Sequence, residues 1–242
     1  MTSASPDLDL ITDIRRALQE RANPEKAPQM QAYMKSTMLY LGVASPEQRE
    51  ALKAVFLNHV LPSFETWEAT VLRLWRHAEY REERYAAIAL TGAGPYRGYQ
   101  TPASIPTYEE MIVDGAWWDY VDAIATRRVG PMLHTHPIDL KPLLLRWSRS
   151  HSMWKRRSAI ISQVSFKLTT DTDLLFACIE PNLDHRDFFI RKAIGWALRE
   201  LAKVHPDVVE EYVERENLRL SPLSRREAAK GIQYGRARRV GK

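Results

Sequence analysis

Trp118 and Asp122 stand four residues apart in the run Trp117-Trp118-Asp119-Tyr120-Val121-Asp122-Ala123-Ile124. That spacing places both side chains on one face of a helix. Trp117, Val121 and Ile124 form an apolar stripe beside them that can be core. An anion next to an indole does nothing for packing, so the pair is a candidate for chemistry. The carboxylate can stabilise a developing cation, orient a water, or pair with a nearby arginine. Two further helical stretches join an indole to a charge: Trp154 lies three before Arg157, and Trp196 lies four after Lys192 and three before Arg199. Arg156 and Arg191 are close by. An aromatic wall with a basic rim suits a charged, sugar-bearing ligand that tracks a phosphate backbone, and nucleic acid is the first candidate. The ordinary fate of a tryptophan at helical spacing is the core, and Trp67, Trp75, Trp117 and Trp147 are assigned there.

Other chemistries find little in the sequence. His134-Thr135-His136 has no HExxH pattern or carboxylate set around it, so no metal site is expected. Gly92-Ala93-Gly94 follows no strand, and Pro95 lacks the amide a phosphate loop needs. No G-x-S-x-G elbow occurs, and Cys178 stands alone, which excludes an internal disulfide. Hydrophobic residues make up 45% and charged residues 27%, the balance of a soluble globular protein. No apolar run approaches the roughly 18 residues a membrane span requires, and no secretory signal is visible near the N-terminus. A cytoplasmic location is expected. The net charge of +5 is unevenly placed. From Arg146 onward there are 20 Lys/Arg against 12 Asp/Glu, whereas residues 1–145 hold 15 against 18. The C-terminal part therefore holds the attraction for polyanions.

The elements that position these residues read as helices throughout. Leu10, Ile11, Ile14 and Leu18 have the helical period. Asn23-Pro24-Glu25 predicts a helix start carrying Met30, Tyr33, Met34 and Met38, and Ser45-Pro46-Glu47 predicts the next. Later segments repeat the formula of a Pro or Gly break followed by apolar spacing of three and four, with Pro106, Pro131, Pro137, Pro142, Pro181, Pro206 and Pro222 as punctuation. Gly92 to Pro106 reads as a surface loop. Ala51-Leu52, Ala87-Ile88, Ala123-Ile124, Ala159-Ile160 and Ala193-Ile194 recur at intervals of 36, 36, 36 and 34 residues. A small residue where helices touch, then a core aliphatic, is what stacked helix pairs require. Ala229-Lys230 comes 36 further on, with Lys where an end repeat meets water. On this basis Trp118 and Trp154, each five before its alanine, line one surface. The expected fold is all-α, a curved solenoid of about six HEAT-like helical repeats. Residues 1–9 form an N-terminal arm, 10–234 one domain and 235–242 a basic tail. A solenoid needs no second copy to complete its core, so a monomer is expected.

Several of these motifs together resemble the AlkD-type DNA alkylation repair glycosylases. They are Asn23-Pro24-Glu25-Lys26-Ala27, Tyr33-Met34-Lys35, Leu41-Gly42, Trp117-Trp118-Asp119 with Val121-Asp122, Ala193-Ile194-Gly195-Trp196 with Leu198-Arg199-Glu200, His205-Pro206-Asp207-Val208-Val209, and Leu223-Ser224-Arg225-Arg226-Glu227-Ala228. The likeness runs in order from about residue 10 to 234. It implies HEAT-like repeats around duplex DNA and hydrolysis of the N-glycosidic bond of N3- and N7-alkylated purines, without metal or cofactor. By position it implies catalytic roles for Trp118, Asp122 and Trp196. Arg157 would hold a phosphate, and Tyr33 would assist at the DNA. Arg156, Arg191, Lys192 and Arg199 complete the expected DNA-binding set, and Gly235-Arg236-Ala237-Arg238-Arg239 adds nonspecific phosphate contact. Lys155-Arg156 and the Gly/Pro-rich loop depart from the family pattern. A non-catalytic scaffold binding DNA or an acidic protein, and a glycosylase for bulky adducts, are the alternatives.

Overall fold

The computed structural model describes residues 4–240. Among the described residues the chain is all-α, with fourteen α-helices and short 3₁₀ turns but no β-strand. Its contacts gather into two compact units, Met1–Thr107 and Tyr108–Lys242, where the sequence reading drew one domain over 10–234.

The first unit holds α1 (Leu8–Gln19), α2 (Ala27–Met34), α3 (Ser45–Asn58), α4 (Phe64–Arg76) and α5 (Arg81–Thr91), and α6 (Ile105–Gly115) opens at its end. The Asp7 carboxylate caps α1 by accepting from the Leu10 amide at 2.8 Å. The predicted stripe Leu10, Ile11, Ile14 and Leu18 is buried. Of the expected arm, residues 1–3 lie outside the described residues, and the helix is already under way at Leu8. Asn23 does cap, accepting from the Glu25 and Lys26 amides, but it caps a turn, and α2 starts only at Ala27. The left-handed φ of 50° at Lys35 stops α2 before Met38.

Glu82 is fully buried in this unit. Its carboxylate accepts from the amides of Leu41, Gly42 and Val43 at 3.0, 2.9 and 3.2 Å. Gly42 is required there, since its φ is +82° and a Cβ would lie 2.1 Å from the Asn23 carbonyl oxygen. The Gly92–Pro106 stretch is not a plain surface loop. It folds into 3₁₀ turns at Gly94–Tyr99 and Pro102–Ser104, buries Tyr96, and sets Tyr99 against Phe64 and Trp67.

The second unit holds α7 (Trp118–Ile124), a π-helical turn over Ala125–Val129, α8 (Gly130–Thr135), α9 (Pro137–Trp147), α10 (Met153–Ile161), α11 (Thr172–Ile179), α12 (Phe188–Ala202), α13 (Pro206–Arg215) and α14 (Pro222–Val240). Proline opens α9, α13 and α14 as predicted, because the first helical residue needs no amide donor. Pro142, expected as a break, lies inside α9. Residues 235–240, expected as a tail, continue α14, and 241–242 lie outside the described residues.

The recurring dipeptides fall on α3, α5, α7, α10 and α12, and Leu52, Ile88, Ile124, Ile160 and Ile194 are all buried. Each such side chain contributes about 1.5–3 kcal/mol. In α14 the last copy, Ala229-Lys230, faces water. Within the second unit α7 packs on α10, α10 on α12, and α12 on α14. The last contact is a close one, since a Cβ on Gly231 would come within 2.4 Å of the Arg199 carbonyl oxygen. Cys178 is buried at 1% exposure in α11, and burial pushes its thiol up to about 12.

Candidate functional site

Asp122 lies on α7 one turn after Trp118. Its two carboxylate oxygens accept from Nε and Nη2 of Arg157, both at 2.7 Å. The third arm of the guanidinium, Nη1, donates to the Phe189 carbonyl at 2.6 Å. One arginine on α10 thereby ties α7 to α12. Two caps fix the register of the elements it joins. Ser152 accepts from the Lys155 amide at the start of α10, and Asp187 accepts from the Phe189 amide at the start of α12. Thr126, in the π-helical turn that follows α7, donates to the Asp122 carbonyl at 2.7 Å. Such π turns recur at functional sites.

The pair is asymmetric in exposure. The Arg157 side chain is 4% exposed and that of Asp122 17%, so the carboxylate keeps an edge toward solvent. Burial pushes the Asp122 carboxyl above its ordinary value. Arg157 opposes this through hydrogen bonds and charge without overcoming it, and Asp119 adds to the rise. A desolvated anion with two fixed donors and an open edge interacts strongly with a cation brought against that edge.

Trp118 and Trp196 are both half-buried. Neither makes a hydrogen bond or ring contact among the described residues, and Trp196 packs part of its surface against the core of the second unit. Trp196 lies seven residues after Phe189 and so on the same face of α12. The other two tryptophans exchange their expected places. Trp117, assigned to the core, is half-buried and precedes α7 in extended conformation (φ −147°, ψ 146°). Trp154, expected beside Trp118 on an open surface, is 8% exposed. Trp117, Trp154 and Phe189 form an aromatic cluster with centroid separations of 6.3, 5.5 and 5.2 Å. Trp67, Trp75 and Trp147 are buried as assigned.

The basic residues divide by how far they are already engaged. Arg157, expected at a phosphate, is wholly occupied by Asp122 and Phe189. Arg156 donates to the Ser150 carbonyl and to Asn182. Arg199 pairs with Glu227 and Glu200, and Arg191 donates to the His185 carbonyl. Lys192 is exposed, with no hydrogen bond or ion pair among the described residues. Tyr33 is 77% exposed in the first unit. Phe189 and Thr126 hold parts of this arrangement that sequence reasoning missed. Thr126 had a signal, since a hydroxyl four residues after Asp122 is placed to bond back to its carbonyl. Phe189 had none.

The architecture is that of an all-α helical repeat protein. A sequence model described as DNA alkylation repair enzyme matches residues 14–232. Among solved structures the chain is similar to a predicted DNA alkylation repair enzyme from Enterococcus faecalis, with 31% identity and a TM-score of 0.77. That match covers 87% of this chain and 96% of the other. Comparison with curated protein sequences found no match. The chain belongs to the DNA alkylation repair enzyme family, an assignment that makes DNA its partner and alkylated DNA its concern.

Proposed function

We propose that this protein is a monofunctional DNA glycosylase that hydrolyses the N-glycosidic bond of N3- and N7-alkylated purines, such as 3-methyladenine and 7-methylguanine, in duplex DNA. The observation that carries this reading is the Asp122 carboxylate, oriented at both oxygens by Arg157 yet open at one edge, on the same helix face as the Trp118 indole.

An alkylated purine of this kind is cationic. When the bond between C1′ and the purine nitrogen breaks, its electron pair moves onto the base and neutralises that charge. Positive character passes to the sugar as an oxocarbenium ion, so a cation is present throughout. Asp122 stabilises it, and the indole faces of Trp118 and Trp196 add about 0.5–2 kcal/mol for each contact made. Water then adds at C1′ and releases its proton, with Asp122 placed to orient the attack. Because ~1.4 kcal/mol is worth tenfold in rate, a few kcal/mol suffice for a base already poised to leave, and an uncharged purine stays untouched.

Arg157 is a positioning residue in this scheme. It fixes the carboxylate and leaves phosphate contact to others. No metal or cofactor takes part. The test is release of 7-methylguanine from methylated duplex DNA by the purified protein, with Asp122→Asn as the control. Tight binding to methylated duplex without release by the wild type would instead identify a non-catalytic DNA-binding scaffold.

A further inference from the structure

Apart from Arg225, which donates to Asn217, the cations of α14 fall into two sets. Arg236 and Arg239 lie on the side facing α13, where Arg236 pairs with Glu210 and Arg239 with Asp207. The hydrogen bond from Arg239 holds the Asp207 carboxyl below its ordinary value. These two arginines are engaged with acids of α13, which compete with the phosphate contact expected of the whole segment. Arg226, Lys230 and Arg238 recur at intervals of four and eight residues on the other side, with Tyr234 in the same row, and of these Lys230 pairs with Glu227 at 2.8 Å. Arg226 and Arg238 are exposed and have no ion pair or hydrogen bond among the described residues. Tyr234 is 49% exposed, with the Arg238 guanidinium 5.8 Å and the Lys203 ammonium 6.0 Å from its ring centroid.

This row joins α12 on one flank. Arg199 of α12 meets Glu227 of α14, and Lys203 meets Tyr234. Trp196 stands one turn before Arg199 on the same stripe. The acids on the flank, Glu200 and Glu227, offset only part of its positive charge. Tyr234 and Arg238 also lie beyond the family match, which ends at residue 232.

We propose that this flank of α14, centred on Arg226, Lys230, Tyr234 and Arg238, is an additional contact surface for the phosphate backbone of duplex DNA. The inference rests on the reading that Trp196 faces DNA. Successive cations four residues apart are about 6 Å apart along the helix, a step suited to neighbouring phosphates of one strand. A phenol between two cations supplies a neutral donor to the same backbone. No base edge is read, so the contact is indifferent to sequence and sensitive to salt.

The experiment is fluorescence-anisotropy binding of the full chain to an undamaged duplex across a salt series. Arg226→Gln combined with Arg238→Gln lowers the slope of log affinity against log salt by about two. Arg236→Gln combined with Arg239→Gln leaves the slope unchanged. An unchanged slope in the first variant, or an equal fall in both, overturns the proposal. Base release by the wild type is scored separately. A slope that holds while 7-methylguanine is released overturns this surface and leaves the glycosylase reading standing. A slope that falls without release does the reverse.

Discussion

Glu82 in the first unit and Asp122 in the second are both carboxylates withdrawn from water, and their partners differ. Glu82 is 0% exposed and takes three backbone amides from a single turn. Asp122 takes one guanidinium and keeps an open edge. Amides donated by the main chain cannot leave without undoing the turn, so Glu82 is part of the scaffold. A guanidinium on a neighbouring helix orients a carboxylate and leaves acceptor capacity for something else. Burial alone therefore does not separate an acid held wholly by the scaffold from one left able to meet a ligand. The number and mobility of the donors do.

Four substitutions and one change of condition test that contrast. The largest effect is expected from Asp122→Asn, which should lower single-turnover 7-methylguanine release by about 10²–10³, the usual cost of losing one preorganised electrostatic contact. Its far-UV circular dichroism should match the wild type, and equal release by both proteins would end the assignment. Glu82→Ala should act on folding instead. It leaves three buried amides unsatisfied at a cost of roughly 3 kcal/mol or more, read as a lower urea midpoint, with release per folded molecule retained. Loss of release without loss of stability would reverse the roles given to the two acids.

Arg157→Lys keeps the charge but cannot grip two oxygens in the fixed fork of an arginine, and about a tenfold loss of release is expected. Arg157→Met removes the influence that lowers the Asp122 carboxyl, so the acid limb of its residual activity should move to higher pH. The smallest effect is the pH profile of the wild type. In the proposed scheme the ionised carboxylate is the active form, and its folded-state value is raised, so kcat/KM should fall on acidification with a midpoint above the ordinary 3.8. Stability linked to this group runs the opposite way. It is fully present below the unfolded value and lost as pH rises through the folded one. A midpoint at or below 3.8, measured against uncatalysed depurination, would contradict the burial argument.

Much of this arrangement is legible in the sequence where a single helix carries it. The α1 stripe, the dipeptides at near-36-residue intervals and the one-turn separation of Trp118 and Asp122 all follow from the helical period. What escapes is set by partners distant in sequence. Arg157 stands 35 residues from Asp122, and no spacing rule says that its guanidinium faces inward. The exchange between Trp117 and Trp154 has a local cause. Trp117 precedes α7 in extended backbone, so the helical stripe that placed it in the core does not reach it. Tyr96 lies in a segment whose glycines and prolines signal a loop, and only partners in the α3–α4 connection and Tyr99 make it interior: its hydroxyl donates to the His59 carbonyl and accepts from the Leu61 amide, and its ring stacks on Tyr99. The three amides that hold Glu82 belong to a turn with no side-chain signature beyond Gly42.

The lone thiol carries a consequence for a protein that works where alkylating electrophiles are at large. Such reagents attack thiolates, and Cys178 is both sealed from solvent and shifted to about 12, leaving a vanishing thiolate fraction at neutral pH. Intact-mass analysis after exposure to a methylating agent should find no adduct on this side chain while the chain is folded. The one thiol of the chain is thus withheld from such reagents for as long as the fold holds.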